Sequence, residues 1–304
     1  MLAALGFIGV YVVLVGVASF LEQPLAQKLD AFRLGAALRL GALIMAVAAL
    51  LAGRGPAIPS LEPVLAGIGI GLILGFGSVF YCLALARLRA WLAASVANGY
   101  VAATVLLGVV VLGEHLTWFV IAGLTLTLTG VVALSWQKPA EAGSHSLRRS
   151  LAAAWPLGVY IVLVGVGVFL QKPALRGLTA LQLNALTALG MAMVALAAVG
   201  VRDRRIPTGP AALATAGVGI LLGLGGVGYY LALERLPVSV AATLANTSVL
   251  VTAALAILVR HQAVTRRQIV GAAATLAGVC LLTISQRRWR PHAAALGRQA
   301  CAAH

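Results

Sequence analysis

The sequence is short of charge. Of its 304 residues only 10% are Asp, Glu, Lys or Arg, whereas 62% are hydrophobic and the mean hydropathy is +1.03. A soluble domain of this size carries roughly 25% charged residues, which keep its surface hydrated. The polar residues here are too few to cover a globule. The composition therefore predicts an integral membrane protein surrounded by lipid.

Acidic residues, cysteines and histidines are also scarce, and their scarcity excludes several classes of function. Cys82, Cys280 and Cys301 lack the spacing of disulfide or metal ligands, and the five histidines lie outside the apolar runs. The chain has no GxxxxGK[ST] phosphate loop, which disfavours ATP-driven transport, and no evident Ser/His/Asp set. We therefore predict no metal, no cofactor and no catalytic residue.

Basic residues are comparatively numerous and give a net charge of +15. They occur as short clusters between apolar runs, for example Arg87/Arg89, Arg148/Arg149 and Arg266/Arg267. This placement is typical of loops and helix ends beside anionic lipid headgroups. It predicts a lipid bilayer, and not nucleic acid, as the partner of these charges.

The chain contains the same segment twice. Residues 9–24 read GVYVVLVGVASFLEQP and residues 158–173 read GVYIVLVGVGVFLQKP, with eleven of the sixteen positions identical at an offset of about 149 residues. Because the segment recurs in mid-chain, we interpret its first copy as a membrane helix and not as a cleaved signal. Two homologous helical halves are typical of membrane transporters.

Apolar runs of spanning length predict five helices in each half. They cover residues 4–26, 34–53, 64–86, 91–112 and 117–136, and then 155–174, 178–200, 211–233, 238–259 and 268–285. The predicted domains are a first five-helix repeat (1–137), a polar linker (138–150), a second repeat (151–286) and a basic tail (287–304). An odd number of spans per half places the copies in opposite orientations, so we predict an all-α membrane protein with ten transmembrane helices as two inverted repeats.

The charge of the loops does not settle the membrane orientation. The loops on the side of the linker hold 13 Lys and Arg and the opposite loops hold four, which by the positive-inside rule places the linker in the cytoplasm. The tail adds four more basic residues on the opposite side.

Polar residues within the spans are the candidates for a substrate site. Glu22 is the only carboxylate inside a span, with Pro24 two residues on, and Gln171 and Pro173 stand at the matching places of the second half. An ionised side chain in the bilayer costs about 3 kcal/mol, so it should face protein or water. Alternatively, Glu22 reaches the interface and pairs with Lys28.

Five further residues complete the candidate set. Arg39 lies well inside the second span, where the other half has Ala188. The repeat-related amides and phenols are Asn98, Asn246, Tyr81 and Tyr229. These side chains either bind a polar substrate or hold helices together. The glycines of the third spans, among them Gly71 and Gly219, either pack tightly or form a moving cavity wall.

Several motifs resemble one membrane-protein family. The stretch from Leu112 to Trp118 (LGEHLTW), followed by Gly123 and Gly130, resembles the GE-x-LTW…G…GV ending of EamA-type domains of the drug/metabolite transporter superfamily. Ala36–Leu40 (AALRL), with Arg39 on the family's arginine, resembles its second-helix motif, and Tyr81–Leu88 its third-helix end. The resemblance covers about residues 5–285. The second half departs from it, with Arg260-His261-Gln262 where the first half has Gly113-Glu114.

The resemblance implies a ten-helix carrier that exports metabolites, amino acids or drugs, with both termini in the cytoplasm. We therefore predict a secondary-active transporter (permease) of a bacterial inner membrane, a monomer or homodimer, with protons as a candidate coupling ion. One alternative is a lipid or lipid-linked sugar flippase, which a lateral gap with a basic rim would favour. Another is a non-transporting assembly protein, which an apolar-filled cavity would favour.

Overall fold

The computed structural model describes residues 2–53, 60–85, 97–114, 117–135, 155–202, 208–261, 265–267 and 269–281. The regular elements of these ranges are all helices. In chain order they are α1 (Leu2–Leu25), α2 (Ala31–Ala52), α3 (Leu61–Leu85), α4 (Gly99–Leu112), α5 (Trp118–Ser135), α6 (Trp155–Ala174), α7 (Ala180–Arg202), α8 (Pro210–Leu233), α9 (Val238–Ala245), α10 (Ser248–Arg260) and α11 (Ile269–Leu281).

Seven segments of the described chain are long and apolar enough to cross a membrane, with α9 and α10 counted together as Val238–Arg260. The protein is therefore an integral membrane protein. The shorter apolar helices α4, α5 and α11 lie where the fourth, fifth and tenth spans are predicted. The count of ten spans stays a prediction, and the linker and the tail lie outside the described residues.

The two halves of the chain pack mainly against each other. Helix α1 packs on α8, which is the third helix of the second half, and α6 packs on α3, the third helix of the first half. Helix α2 likewise crosses α8, and α7 crosses α3. Each contact made by one half is thus repeated by the equivalent helices of the other.

Glycines make these crossings possible. A Cβ on Gly41 of α2 would overlap the carbonyl oxygen of Ala216, and one on Gly219 of α8 would overlap that of Leu38. The repeat-related crossing of α3 and α7 has the same arrangement, since a Cβ on Gly71 or Gly190 would overlap a backbone carbonyl of the other helix. Small residues that let backbones touch are the usual means by which membrane helices associate. The packing interpretation of the third-span glycines therefore holds at these positions.

Threonine hydroxyls tie further helix pairs together. Thr252 of α10 donates a hydrogen bond to the carbonyl oxygen of Gly16 in α1 (2.9 Å), and Thr104 of α4 donates to that of Gly165 in α6 (3.1 Å). These two contacts involve equivalent positions of the two halves. Helices α5 and α11 approach as closely, because a Cβ on Gly130 would lie 2.6 Å from the carbonyl oxygen of Gly271.

Charged side chains close several helix ends. Lys172 of α6 donates hydrogen bonds to the carbonyl oxygens of Leu233 (2.5 Å) and Leu236 (2.9 Å), at and just after the last residue of α8. Carbonyl groups at the end of a helix have no backbone partner within the helix, so the ammonium group takes that place. Glu114 accepts hydrogen bonds from the first backbone amides of α9, including that of Val238 (2.7 Å). Lys172 and Glu114 thus have a structural role as helix caps, and neither lines the internal cavities described below.

Both fourth spans contain a turn at the repeat-related asparagines. The helix is interrupted at Asn98 in the first half and at Asn246 and Thr247 in the second. The amide of Thr247 donates to the carbonyl of Leu244, and that of Val101 to Asn98, so the helix tightens to i→i+3 bonding there. The two spans also end alike, in a left-handed residue, Gly113 in the first and His261 in the second.

We predict opposite effects for two alanine substitutions in α8. Gly219→Ala should lower the free energy of unfolding by about 1–3 kcal/mol, because the new methyl group has no room against α2. Gly217→Ala, two residues earlier, meets nothing within 4 Å and should raise it by up to about 1 kcal/mol through helix propensity. Reversible denaturant unfolding in detergent micelles measures both; equal effects would contradict the close crossing.

Candidate functional site

Two internal cavities lie between the halves. The first, which we call the Gln171 cavity, has a volume of about 340 Å³, and the second, the Glu22 cavity, about 300 Å³. Both are bounded by the glycine-mediated helix crossings described above. Arg39, Met191 and Leu222 line both cavities, so the two meet at these three residues.

The residues around one cavity are largely the repeat equivalents of those around the other. Glu22 corresponds to Gln171, and Tyr81, beside Glu22, corresponds to Tyr229, beside Gln171. The tyrosine pairs correspond as well: the Tyr81 and Tyr160 rings are 5.2 Å apart, and the Tyr11 and Tyr229 rings 5.4 Å. The predicted candidates Glu22, Arg39, Tyr81, Gln171 and Tyr229 are thus brought together on one internal path.

The Gln171 cavity contains a directed chain of hydrogen bonds. The Thr187 hydroxyl donates to the backbone carbonyl of Leu183, which can only accept. Thr187 must therefore accept from the Tyr230 hydroxyl (3.0 Å), and Tyr230 in turn accepts from Nε2 of Gln171 (3.0 Å). This series of hydrogen bonds fixes the orientation of the Gln171 amide, so Oε1 is the amide atom that receives no hydrogen bond from it.

Two buried polar atoms of this cavity have no hydrogen-bond partner among the described residues. Gln171 is 4% exposed, and its Oε1 is unpaired; Tyr229 is 8% exposed, and its hydroxyl is unpaired. A buried polar group without a partner costs about 1–3 kcal/mol, so such atoms are rare in native interiors. Both residues line the cavity, where a polar solute or water can satisfy them.

The Glu22 cavity has a different chemistry. The equivalents of Tyr230 and Thr187 are Cys82 and Leu38, so the hydrogen-bond chain does not exist there. Arg39 donates instead to the Ser78 hydroxyl (3.3 Å). Glu22 lies in the same cavity and interacts electrostatically with Arg39. The two form no ion pair, and within the described chain Glu22 forms none with Lys28 either; the one ion pair there joins Arg33 to Asp30.

The two predicted asparagines lie away from both cavities. Asn98 lines a lateral groove of about 740 Å³ together with apolar residues of α4, α5 and α11 and the exposed Arg266 and Arg267. Asn246 lies at the turn between α9 and α10, with Nδ2 buried and unpaired. Their place in a substrate cavity stays a prediction, since neither is among the residues that line the Gln171 or the Glu22 cavity.

The proline break in α1 also has a structural partner. Pro24 frees the carbonyl oxygen of Phe20. Arg260 of α10 donates to this oxygen (3.1 Å), binds Oε1 of Gln23 (2.6 Å) and stacks over the Phe20 ring. The freed carbonyl therefore joins α1 to α10 and is not available to a substrate.

Sequence reasoning missed two residues of the Gln171 cavity, Asn184 and Thr187. The available signal was a run of polar residues in one apolar span, because Gln182, Asn184 and Thr187 all fall in α7 and are all buried. Their equivalents in α2 are Arg33, Gly35 and Leu38, so comparison of the two halves alone does not reveal Asn184 and Thr187.

We predict that the Glu22 cavity admits water. In a variant with Cys280 and Cys301 replaced by serine, Cys82 should react readily with a small charged methanethiosulfonate, because its half-buried thiol lines the cavity. The matched variant carries Cys82→Ser and Ala84→Cys, which moves the thiol to a fully buried position in the same helix. Equal labelling of the two in detergent, followed by mass spectrometry, would contradict a water-filled cavity.

Comparison with known proteins indicates the fold of the chain and the family that its second half resembles. A crystal structure of another protein superposes with a TM-score of 0.76 over 92% of this chain and 98% of its own length, at 21% sequence identity, which shows a shared fold. No curated protein matches the sequence. Residues 154–284 match the model of the EamA-like transporter family, a domain of the drug/metabolite transporter superfamily. The second half of the chain is thus similar to the EamA-like transporter family.

Proposed function

We propose that the protein is a secondary-active transporter that moves a small organic solute through the Gln171 and Glu22 cavities. The observation that carries the proposal is the equivalence of the two cavities, which are lined by repeat-related residues and meet at Arg39, Met191 and Leu222. A path assembled from two such halves is the arrangement that alternating access requires. The match of residues 154–284 to a transporter family supports the same conclusion.

The inverted repeat is part of this proposal. Domains of residues 1–137 and 151–286, each with five spans, would face opposite sides of the membrane. The exchange of contacts between halves supports this, since α1 packs on α8 as α6 packs on α3. If the two halves exchange conformations, one cavity opens while the other closes. The glycine crossings have little side-chain interlocking, so the helices can slide against each other. The family resemblance favours export across a bacterial inner membrane.

Two observations separate the transporter from its alternatives. A flippase needs a lateral opening to the solute path, and the lateral groove has a basic rim formed by Arg266 and Arg267. That groove shares no described lining residue with either cavity, and Arg39 is not among the residues that line it. A non-transporting protein would fill the interior with apolar side chains, whereas polar side chains line both cavities here.

We predict that a bulky side chain at the junction blocks transport. The solute is first identified by a metabolite-wide uptake screen in proteoliposomes, with and without a proton gradient. Met191→Trp should then reduce uptake of that solute by at least about tenfold, because the indole fills the place where the cavities meet. Met193→Trp is the matched control, since Met193 is 50% exposed on the lipid side of the same helix. Equal uptake by the two variants would remove the junction from the path.

Glu22 tests the coupling ion. If Glu22 carries the coupling proton, Glu22→Gln should abolish gradient-driven uptake and leave the protein folded, because glutamine cannot titrate and already occupies the equivalent position 171. Counterflow of the same solute without a gradient reports whether the path itself survives. Unchanged gradient-driven uptake would exclude this role for Glu22.

A further inference from the structure

We infer that the transported solute is a small organic anion, that its anionic group binds Arg39, and that it also presents an N–H or O–H donor to Gln171. The inference rests on the proposed transport function and adds the chemical class of the solute. It is carried by the charges and the unpaired atoms of the Gln171 cavity.

The charge of the Gln171 cavity favours an anionic solute. Arg39 is the one charged residue among the described residues that line the Gln171 cavity. Its hydrogen bond to Ser78, at 3.3 Å, is to a neutral hydroxyl on the side of the Glu22 cavity. A guanidinium inside a membrane protein needs a compensating anion or water, and the low dielectric constant strengthens its attraction for an anion. A carboxylate accepts two parallel hydrogen bonds from it.

The same charges disfavour a cationic solute. In the Gln171 cavity a cation meets Arg39 with no carboxylate among the described lining residues. In the Glu22 cavity a carboxylate is present, but Arg39 faces that cavity too and repels a cation there. Neither half of the path therefore offers a cation an uncompensated negative charge.

The unpaired atoms define the second group of the solute. The hydrogen-bond chain from Gln171 through Tyr230 and Thr187 leaves Oε1 of Gln171, a residue that lines the cavity, as a buried acceptor of fixed orientation without a described partner. Such an acceptor binds an N–H or O–H group, and a site built this way discriminates strongly against an analogue that lacks the donor. The Tyr229 hydroxyl, also unpaired among the described residues, belongs to another residue that lines this cavity.

Volume and position set the size of the solute and the role of Arg39. A cavity of about 340 Å³ is at the small end of ligand sites, which run from about 300 to 1,000 Å³. Because Arg39 lines both cavities, it can keep hold of the anion while the other end of the solute passes from the Gln171 side to the Glu22 side. There the Glu22 carboxylate competes with the anion for the same guanidinium, which favours release.

The test compares matched solutes on the purified full-length protein in detergent, with binding followed by thermal shift. The probes are lactate, 3-phenyllactate and 4-hydroxyphenylacetate, each with its primary amide and its amine analogue. At least one carboxylate should bind about tenfold or more tighter than its amide and its amine. In Arg39→Gln this preference should disappear, and in Arg39→Lys, which keeps the charge, it should persist in part.

A second comparison tests the acceptor. Gln171→Leu should weaken binding of 3-phenyllactate but not of 3-phenylpropionate, which lacks the hydroxyl donor. The wild-type comparison does not depend on any variant, so it decides the matter even if Arg39→Gln fails to fold. Tightest binding of an amine or an amide, binding by no carboxylate, or a preference that survives Arg39→Gln would overturn the inference. Uptake of only neutral or cationic solutes in proteoliposomes would overturn it and leave the transport function intact, whereas uptake of no solute would contradict the transport function itself.

Discussion

The structure depends on the direct contact of helix backbones across the boundary between the two halves. At Gly41 and Gly219, and again at Gly71 and Gly190, one helix lies against the carbonyl groups of the other with no room for a side chain. In lipid there is no hydrophobic force to drive helices together, so close van der Waals contact and hydroxyl-to-carbonyl hydrogen bonds such as that of Thr252 must supply the attraction. Because these contacts occur in equivalent pairs, the interior between them is divided into two equivalent cavities.

The two cavities are lined largely by equivalent positions but differ in chemistry. Around Gln171 a chain of three side chains fixes the direction of the Tyr230 and Thr187 hydroxyls and leaves Oε1 of Gln171 unpaired, whereas around Glu22 the corresponding places hold a thiol and a leucine. Arg39 has no equivalent, since Ala188 stands at its place, yet it lines both cavities. A solute on the proposed path would therefore meet one cation, Arg39, and two different sets of neighbours.

Much of this organisation could be predicted from the sequence, because it follows from composition and from the repeat. The apolar runs predict the long helices α1, α2, α3, α6, α7 and α8 to within a few residues, and the duplicated segment predicts that Glu22 and Gln171 occupy equivalent places. Which cavity a polar residue lines depends on the direction of its side chain and not on its position along a span. Asn98 and Asn246 are polar and deep in the chain's apolar runs, yet neither is among the residues that line the Gln171 or the Glu22 cavity. The Phe20 carbonyl freed by Pro24 accepts a hydrogen bond from Arg260, which lies 236 positions after Pro24. The spacing of residues in the sequence could not predict this contact.

The glycines at the helix crossings are the same in the two halves, whereas several residues that line the cavities differ between them. This difference affects how the sequence of such a protein can change over time. A residue at a crossing is constrained by its counterpart in the other half, so replacing it disturbs the assembly of both. A residue such as Cys82 or Tyr230 borders only its own cavity, and one copy can vary while the other is retained. Gene duplication thus leaves this architecture with a second set of lining positions on which new selectivity can arise without rebuilding the scaffold.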